Sequence, residues 1–252
     1  TLSSLAKRIS IAADVYIRNG FAVDGTLPLR EGDQITLIEK GKLPDKAQLE
    51  CMMAARHTPF VHEQVKKATV GIAGLGGLGS NIAVMLARTG VGRLILADFD
   101  LVEPSNLNRQ SYFLRHLGRP KTQALKEQIE EINPYVSVEI HTVRVEESNA
   151  VSLFGGCDVV CEAFDDPASK AVLVSALLEG RPKIKLVAAS GMAGFESANT
   201  IKTVRRFGNL YLCGDGMNEA KEGNGLMAPR VTVCAAHQAN MALRLLLGIT
   251  EV

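Results

Sequence analysis

The chain has 252 residues and a net charge of +1, with 28 Lys and Arg against 27 Asp and Glu, so no global field points to nucleic acid or an anionic membrane. No apolar run reaches the ~20 residues of a membrane helix, and an aromatic content of 5% without tryptophan leaves no platform for stacking single strands. Five cysteines without regular spacing, and a start (TLSSLAKRIS) lacking an apolar signal core, fit a reducing cytoplasm.

Residues 1–43 read as a small β-rich appendage. Alternating runs at Val15 to Ile17 and Ile35 to Ile38 flank Asn19-Gly20, Asp24-Gly25 and Glu31-Gly32-Asp33, which are hairpin turn signals. KGKLPD, residues 40–45, is a polar linker. From Lys46 the pattern changes to helices over 46–56 and 60–66 and a buried strand over 69–73. After a glycine turn come a helix over 81–89 ended by Gly90, a strand over 93–97, and a helix over 121–132 stopped by Asn133-Pro134. Next are strands over 136–145 and 158–163, then a helix over 169–178 with Gly180 as its stop, a strand over 185–189 and a closing helix over 231–247. The alternation predicts an α/β fold over 46–252, a doubly wound, mostly parallel Rossmann-like sheet.

Gly74-Leu75-Gly76-Gly77-Leu78-Gly79 falls between a strand and a helix, where bare backbone and a helix N-terminus accept phosphates. Asp98 ends the next strand, about 20 residues on, where an acid grips ribose hydroxyls. These features indicate an adenine nucleotide without choosing among NAD, FAD and ATP. The next stretch chooses. Asp100, Asn106, Arg109, Gln110 and Lys121 gather amides and cations that hydride transfer does not need and that a triphosphate does. Asp165 and Asp166 stand at the C-terminal end of a later strand, a natural position for a Mg²⁺ ligand.

GLGGLGSN, then D-x-D-x(5)-N-L-x-R-Q, then G-x-P-K, then a strand ending in an Asp pair, resemble the ubiquitin-activating-type (ThiF/MoeB/HesA) adenylyltransferases over residues 52–248, above all a short ThiF-like branch. The resemblance implies that the C-terminal glycine carboxylate of a small β-grasp sulfur-carrier protein attacks the α-phosphate of Mg·ATP, giving an acyl-adenylate and pyrophosphate. It implies that Asp98 holds ribose and that Asn106 and Arg109 contact phosphates with Gln110 beside them. It likewise gives Lys121 the phosphates, Asp165 the Mg²⁺, and a homodimer in which an arginine ahead of the glycine turn crosses the interface. Arg56 is the candidate, closer to the turn than is usual. Lys170 stands where relatives often have arginine.

Many relatives carry paired CxxC zinc motifs; this chain has none, so no structural zinc is expected. Cys157 and Cys161 read as core residues, and Cys213 is a candidate thiol set against a buried small hydrophobe. Arg230 meets either the carrier's tail or a carbonyl. NGFAVDGTLPLREGDQITLI resembles part of a sulfur carrier but is followed by no free Gly-Gly end, so a docking or stabilising role is expected. The leading function is activation of a ThiS-like carrier with a Gly-Gly end in thiamine thiazole formation. The same chemistry on a molybdopterin carrier, a peptide or a modified tRNA base is the alternative. An NAD-dependent oxidoreductase and an idle binding scaffold represent other classes.

Overall fold

The computed structural model describes residues 1–42, 44–57 and 59–252; Leu43, the last residue of the expected appendage, and Thr58 lie outside the described residues. By contacts the chain divides into Thr1–Lys66 and Lys67–Val252.

The first unit contains α1 (Leu2–Arg8), β1 (Val15–Arg18), β2 (Phe21–Val23), β3 (Ile35–Ile38), α2 (Lys46–His57) and α3 (Pro59–Val65). Its sheet is antiparallel in the order β2-β1-β3. Asn19 and Gly20 have φ of 54° and 80° and join Arg18 to its partner Phe21. Two left-handed residues match the twist of the flanking strands, as a two-residue hairpin requires. Strand β2 escaped the sequence reading because three residues cannot display an alternation. Ile17 and Ile38 are buried together with Leu2 and Ala6 of α1. Helix α2 packs on all three strands, so by contacts it belongs here, whereas composition set it with the later residues.

The second unit holds β4 (Thr69–Ala73), α4 (Gly77–Thr89), β5 (Arg93–Ala97), α5 (Lys121–Ile132), β6 (Ser137–His141), α6 (Glu147–Phe154), β7 (Val159–Glu162), α7 (Pro167–Gly180), β8 (Lys185–Ala189), β9 (Lys202–Phe207), β10 (Leu210–Gly214) and α8 (Ala228–Leu246). The order β6-β5-β4-β7-β8-β10-β9 is parallel except for β9, which runs antiparallel to β10 at the edge. From β4 the chain winds outward through β5 and β6, then returns to build the other half from β7. The switch point therefore lies between β4 and β7, where open α/β sheets bind ligands.

Helices α6 and α7 pack together over a core that includes Phe154, Val160, Leu177 and Leu186, while α4 lies against α5 and α8. Several expectations shift. Helix α4 starts at Gly77 rather than 81, because the glycine turn itself enters the helix. Strand β6 stops at His141 rather than 145, and the residues that leave it become a wall of the site. Helix α7 runs through Gly180 to a cap at Arg181. Helix α6 and the β9–β10 pair were not anticipated: α6 is eight residues long, and β9 carries Lys202, Arg205 and Arg206 on an exposed edge that masks its alternation.

Candidate functional site

A cavity of about 320 Å³ opens at the C-terminal ends of the central strands, within the usual range for small-molecule sites. It is lined by Gly74, Gly76, Gly77, Asp98, Asp100, Arg109, Gln110, Lys121 and Asp165, together with Phe99, Arg144 and Phe164. Each glycine of the turn has its own task. Gly74 has φ of 87°, and a Cβ there would lie 2.9 Å from the Ala163 carbonyl oxygen. Gly79 is not a lining residue; a Cβ on it would stand 1.8 Å from the Gly74 oxygen, so it lets helix and turn touch. At Gly76 a Cβ would meet only Gln110 Nε2, at 3.8 Å. No side chain caps α4, which leaves the amides of its first turn for a ligand.

The Asp98 carboxylate is a latch as well as a cavity wall. Its Oδ2 accepts from the Leu75 amide at 2.6 Å and its Oδ1 from the Asp100 amide at 2.8 Å. Burial pushes this carboxyl above its usual range, against the pull of the Lys121 ammonium and those amides. Tyr112 adds a second tie, its hydroxyl donating to the Leu75 oxygen at 2.9 Å. The segment after β5 is stitched to α4. The Ser111 amide donates to Ser80 Oγ, and Asn81 Nδ2 donates to the carbonyls of Gly77 and Arg109.

Of the site residues expected from sequence, Asn106 is buried but does not line the cavity. Its Oδ1 accepts from the Glu103 amide at 3.0 Å, and its carbonyl accepts from the Arg109 and Gln110 amides. Arg109 donates to the Ser105 carbonyl and to Asn108 Oδ1. Lys121 donates to Asp100 Oδ2 at 2.8 Å. Asp166 caps α7, accepting from the amide and hydroxyl of Ser169 at 2.8 and 2.7 Å. Asp165 is exposed and lines the cavity, and no hydrogen bond or ion pair engages its carboxylate among the described residues. Arg56 is exposed in the last turn of α2, in the other unit.

These residues fit a magnesium nucleotide. The Asp165 carboxylate, three cations (Arg109, Lys121 and Arg144) and uncapped amides gather at one space, and the buried Oε1 of Gln110, also lining it, has no partner among the described residues. Other residues singled out in the sequence lie outside the cavity wall. Lys170 is not a solvated surface lysine: its ammonium contacts both oxygens of the fully buried Glu162. Arg230 donates to the carbonyls of Glu196 and Ser197 and pairs with buried Asp215, so it meets carbonyls and does not line the cavity. His237 Nδ1 lies 3.0 Å from Thr203 Oγ1. Cys157, Cys161, Cys213 and Cys234 are all buried.

A doubly wound sheet with a glycine turn and cations gathered at its switch point defines an α/β protein of the open-sheet class, whose ligands enter at that crevice. Residues 51–252 match the ThiF family and residues 1–41 match ThiS-like ubiquitin. The chain belongs to the ThiF family and carries a ThiS-like N-terminal stretch. Adenylyltransferase and sulfurtransferase UBA4 of Yarrowia lipolytica is 32% identical over 193 residues, covering 71% of this chain and 46% of that protein. Probable adenylyltransferase/sulfurtransferase MoeZ of Mycobacterium tuberculosis is 37% identical over 124 residues, covering 48% of this chain and 32% of that protein. The chain thus spans less than half the length of either relative. Among solved structures, E. coli tRNA N6-threonylcarbamoyladenosine dehydratase, TcdA, in complex with ATP superposes with a TM-score of 0.72 at 24% identity, covering 82% of this chain and 98% of that one. E. coli MccB with ATP gives 0.60 at 20% identity, covering 83% and 73%. These two likenesses establish the fold.

Proposed function

We propose that this chain adenylates the C-terminal glycine carboxylate of a small ubiquitin-like sulfur carrier. The carboxylate oxygen attacks the α-phosphorus of ATP, the bond to the bridging oxygen breaks, and pyrophosphate leaves. The observation that carries the reading is the convergence of Arg109, Lys121 and the unengaged Asp165 on one cavity floored by the glycine turn. Gly74, Gly76, Gly77 and Gly79 shape the phosphate cradle, and Asp98 and Gln110 offer acceptors to ribose hydroxyls. Arg109 and Lys121 oppose charge gathering on the leaving pyrophosphate, Asp100 orients Lys121, and Asn106 fixes the turn that presents Arg109. Mg²⁺, held through Asp165, would neutralise phosphate charge. Arg56 is assigned to the nucleotide of a second copy in a homodimer.

In this division 46–252 is the catalytic domain and 1–43 a carrier-like module that docks or stabilises. The carrier is taken to be ThiS-like, with a Gly-Gly end, serving thiamine thiazole formation. Relatives named UBA4, MoeZ and TcdA make other carriers and a modified tRNA base the competing substrates. Five free cysteines agree with a cytoplasmic setting, and no described helix is long and apolar enough to cross a membrane. The test is carrier-dependent exchange of labelled pyrophosphate into ATP. Exchange with a ThiS-like Gly-Gly carrier supports the full reading, and exchange with another carrier moves the pathway. Stabilisation by NADH but not by Mg·ATP overturns it.

A further inference from the structure

The end of β7 holds an ion pair between a fully buried carboxylate and a half-buried lysine that the proposed reaction does not use. Glu162, 0% exposed, is the last residue of β7, and both its carboxylate oxygens lie 3.0 Å from the Lys170 ammonium. Taking the Glu162 charge fully out of water is costly even beside a partner, and an apolar pair of similar size would often be no less stable. Such a pair therefore calls for a geometric reason. Glu162 Oε1 also accepts from the Phe164 amide at 2.7 Å, which closes the turn immediately before Asp165. Lys170 donates a third bond, to the Ala189 carbonyl at 3.2 Å, tying in the end of β8. Its own amide donates to the carbonyl of Asp166, the N-cap of α7. Gln238 on α8 holds the Glu162 carbonyl at 2.8 Å, and the Ala163 amide donates to Ala73, the last residue of β4.

Asp165 is consequently suspended between two fixed points, the Phe164 amide on Glu162 and the Asp166 cap on Ser169. We propose that Glu162 and Lys170 are a positioning pair for Asp165, aiming its carboxylate into the cavity and so setting the affinity of the nucleotide complex for its divalent cation. The inference rests on the adenylylation reading. It assigns neither residue a contact with nucleotide or metal.

The test uses the full chain, Mn²⁺ as the probe, electron paramagnetic resonance to count bound Mn²⁺ with ATP present, and calorimetry of ATP binding in EDTA. Glu162→Gln with Lys170→Met exchanges the ion pair for a neutral one of similar volume, which avoids stranding a buried charge. Its expected effect is a Mn²⁺ affinity weaker by about tenfold, the lower end for loss of a residue that orients a metal ligand, with ATP affinity in EDTA unchanged. Asp165→Ala added to this background should weaken Mn²⁺ little further, and Lys170→Arg should keep the wild-type value. Should the double variant not fold, Glu162→Gln alone carries the same expectation. Unchanged Mn²⁺ affinity in a folded variant, or a parallel loss of metal-free ATP binding, overturns the positioning role. Wild-type protein that binds no ATP at all overturns the adenylylation reading beneath it, a different and distinguishable result.

Discussion

Lys121 reaches Asp100 twice: its ammonium lies 2.8 Å from Oδ2, and its backbone amide donates to the Asp100 carbonyl at 3.0 Å. The first residue of α5 is thereby fixed to the segment that leaves β5. With the Lys121 side chain 7% exposed and that of Asp100 47% exposed, the ammonium is held at the cavity wall while its partner faces water. A half-exposed pair contributes little to stability, about 1 kcal/mol or less; its value lies in orientation. Lys121→Ala is expected to lower pyrophosphate exchange by about 10²-fold or more, the scale for losing one charge-stabilising group. Asp100→Ala should lower it by roughly tenfold through misplacement of the lysine. Both should leave the unfolding midpoint nearly unchanged. Equal activity in Lys121→Ala and wild type would remove the lysine from the mechanism.

The glycines of the turn differ in what an added methyl would meet. Gly79→Ala drives a methyl against the Gly74 carbonyl, and the overpacking should cost about 1–3 kcal/mol or more. Gly76→Ala meets nothing closer than 3.8 Å, and Gly76 has φ of −75°, which any residue adopts. Its methyl would extend toward the phosphate cradle. Gly76→Ala is expected to keep the wild-type melting temperature and lose ATP affinity by calorimetry, whereas Gly79→Ala should lower the melting temperature first. A destabilised Gly76→Ala protein with normal ATP binding would reverse the assignment.

Much of the fold was legible because buried parallel strands announce themselves. β4, β5 and β8 each open on one polar residue (Thr69, Arg93 and Lys185) and continue as apolar runs, and their boundaries in the sequence are those of the structure. The glycine turn, the acid at the end of β5 and the basic segment after it could be placed together for the same reason: they lie just past strand ends. What stayed hidden depended on long-range partners. Nothing local distinguishes Lys170 from a solvated helix lysine until Glu162, eight residues earlier, turns out to be fully buried. Arg230 and Asp215 are 15 residues apart, one in α8 and the other just past β10, and nothing local in the sequence joins them. The resemblance had singled out Asp165, but that its neighbour Asp166 caps a helix beginning at Pro167 was hidden, because the helix starts earlier than periodicity suggested.

That Arg230–Asp215 pair lies in the interior, both side chains 3% exposed. Removing one member of such a pair strands the other charge, at a cost of about 3–5 kcal/mol. Arg230→Met also releases the carbonyls of Glu196 and Ser197. It should therefore lower the melting temperature by roughly 10 °C, at the few degrees per kcal/mol expected for a protein of this size. Arg230→Met with Asp215→Asn should recover part of the loss. A single variant as stable as wild type would mean that the loop does not depend on this contact.

The cysteines bear on the fate of the acyl-adenylate. Burial pushes the Cys213 thiol up to about 11, and those of Cys157 and Cys234 up to about 12. Cys213 is fully buried, and Cys51 alone among the five is not buried. In native protein at pH 8, a disulfide reagent should therefore modify Cys51 first and reach Cys213 only after denaturant is added. Cys213→Ala should retain pyrophosphate exchange. A covalent carrier adduct at Cys213, detected by mass spectrometry without denaturation, would contradict this.

Stability should fall on mild acidification, and one cause lies in the first unit. His57 and His62 have ring centroids 5.5 Å apart, and none of their four ring nitrogens has a hydrogen-bond partner among the described residues. Burial lowers the pKa of both; His62 lowers that of His57 further, and Glu50, Lys66 and Glu63 act on His62 with mixed sign. The folded state therefore holds neutral imidazoles while the unfolded chain takes up protons near pH 6.5. Where the unfolded state binds more protons, stability rises with pH. The contribution is complete above about pH 6.5 and is lost as pH falls toward the depressed folded values. Urea midpoints followed by circular dichroism should drop between pH 7.5 and 5.5, and His57→Gln with His62→Gln should flatten that slope. A wild-type slope that persists in the double variant would remove these imidazoles as its cause.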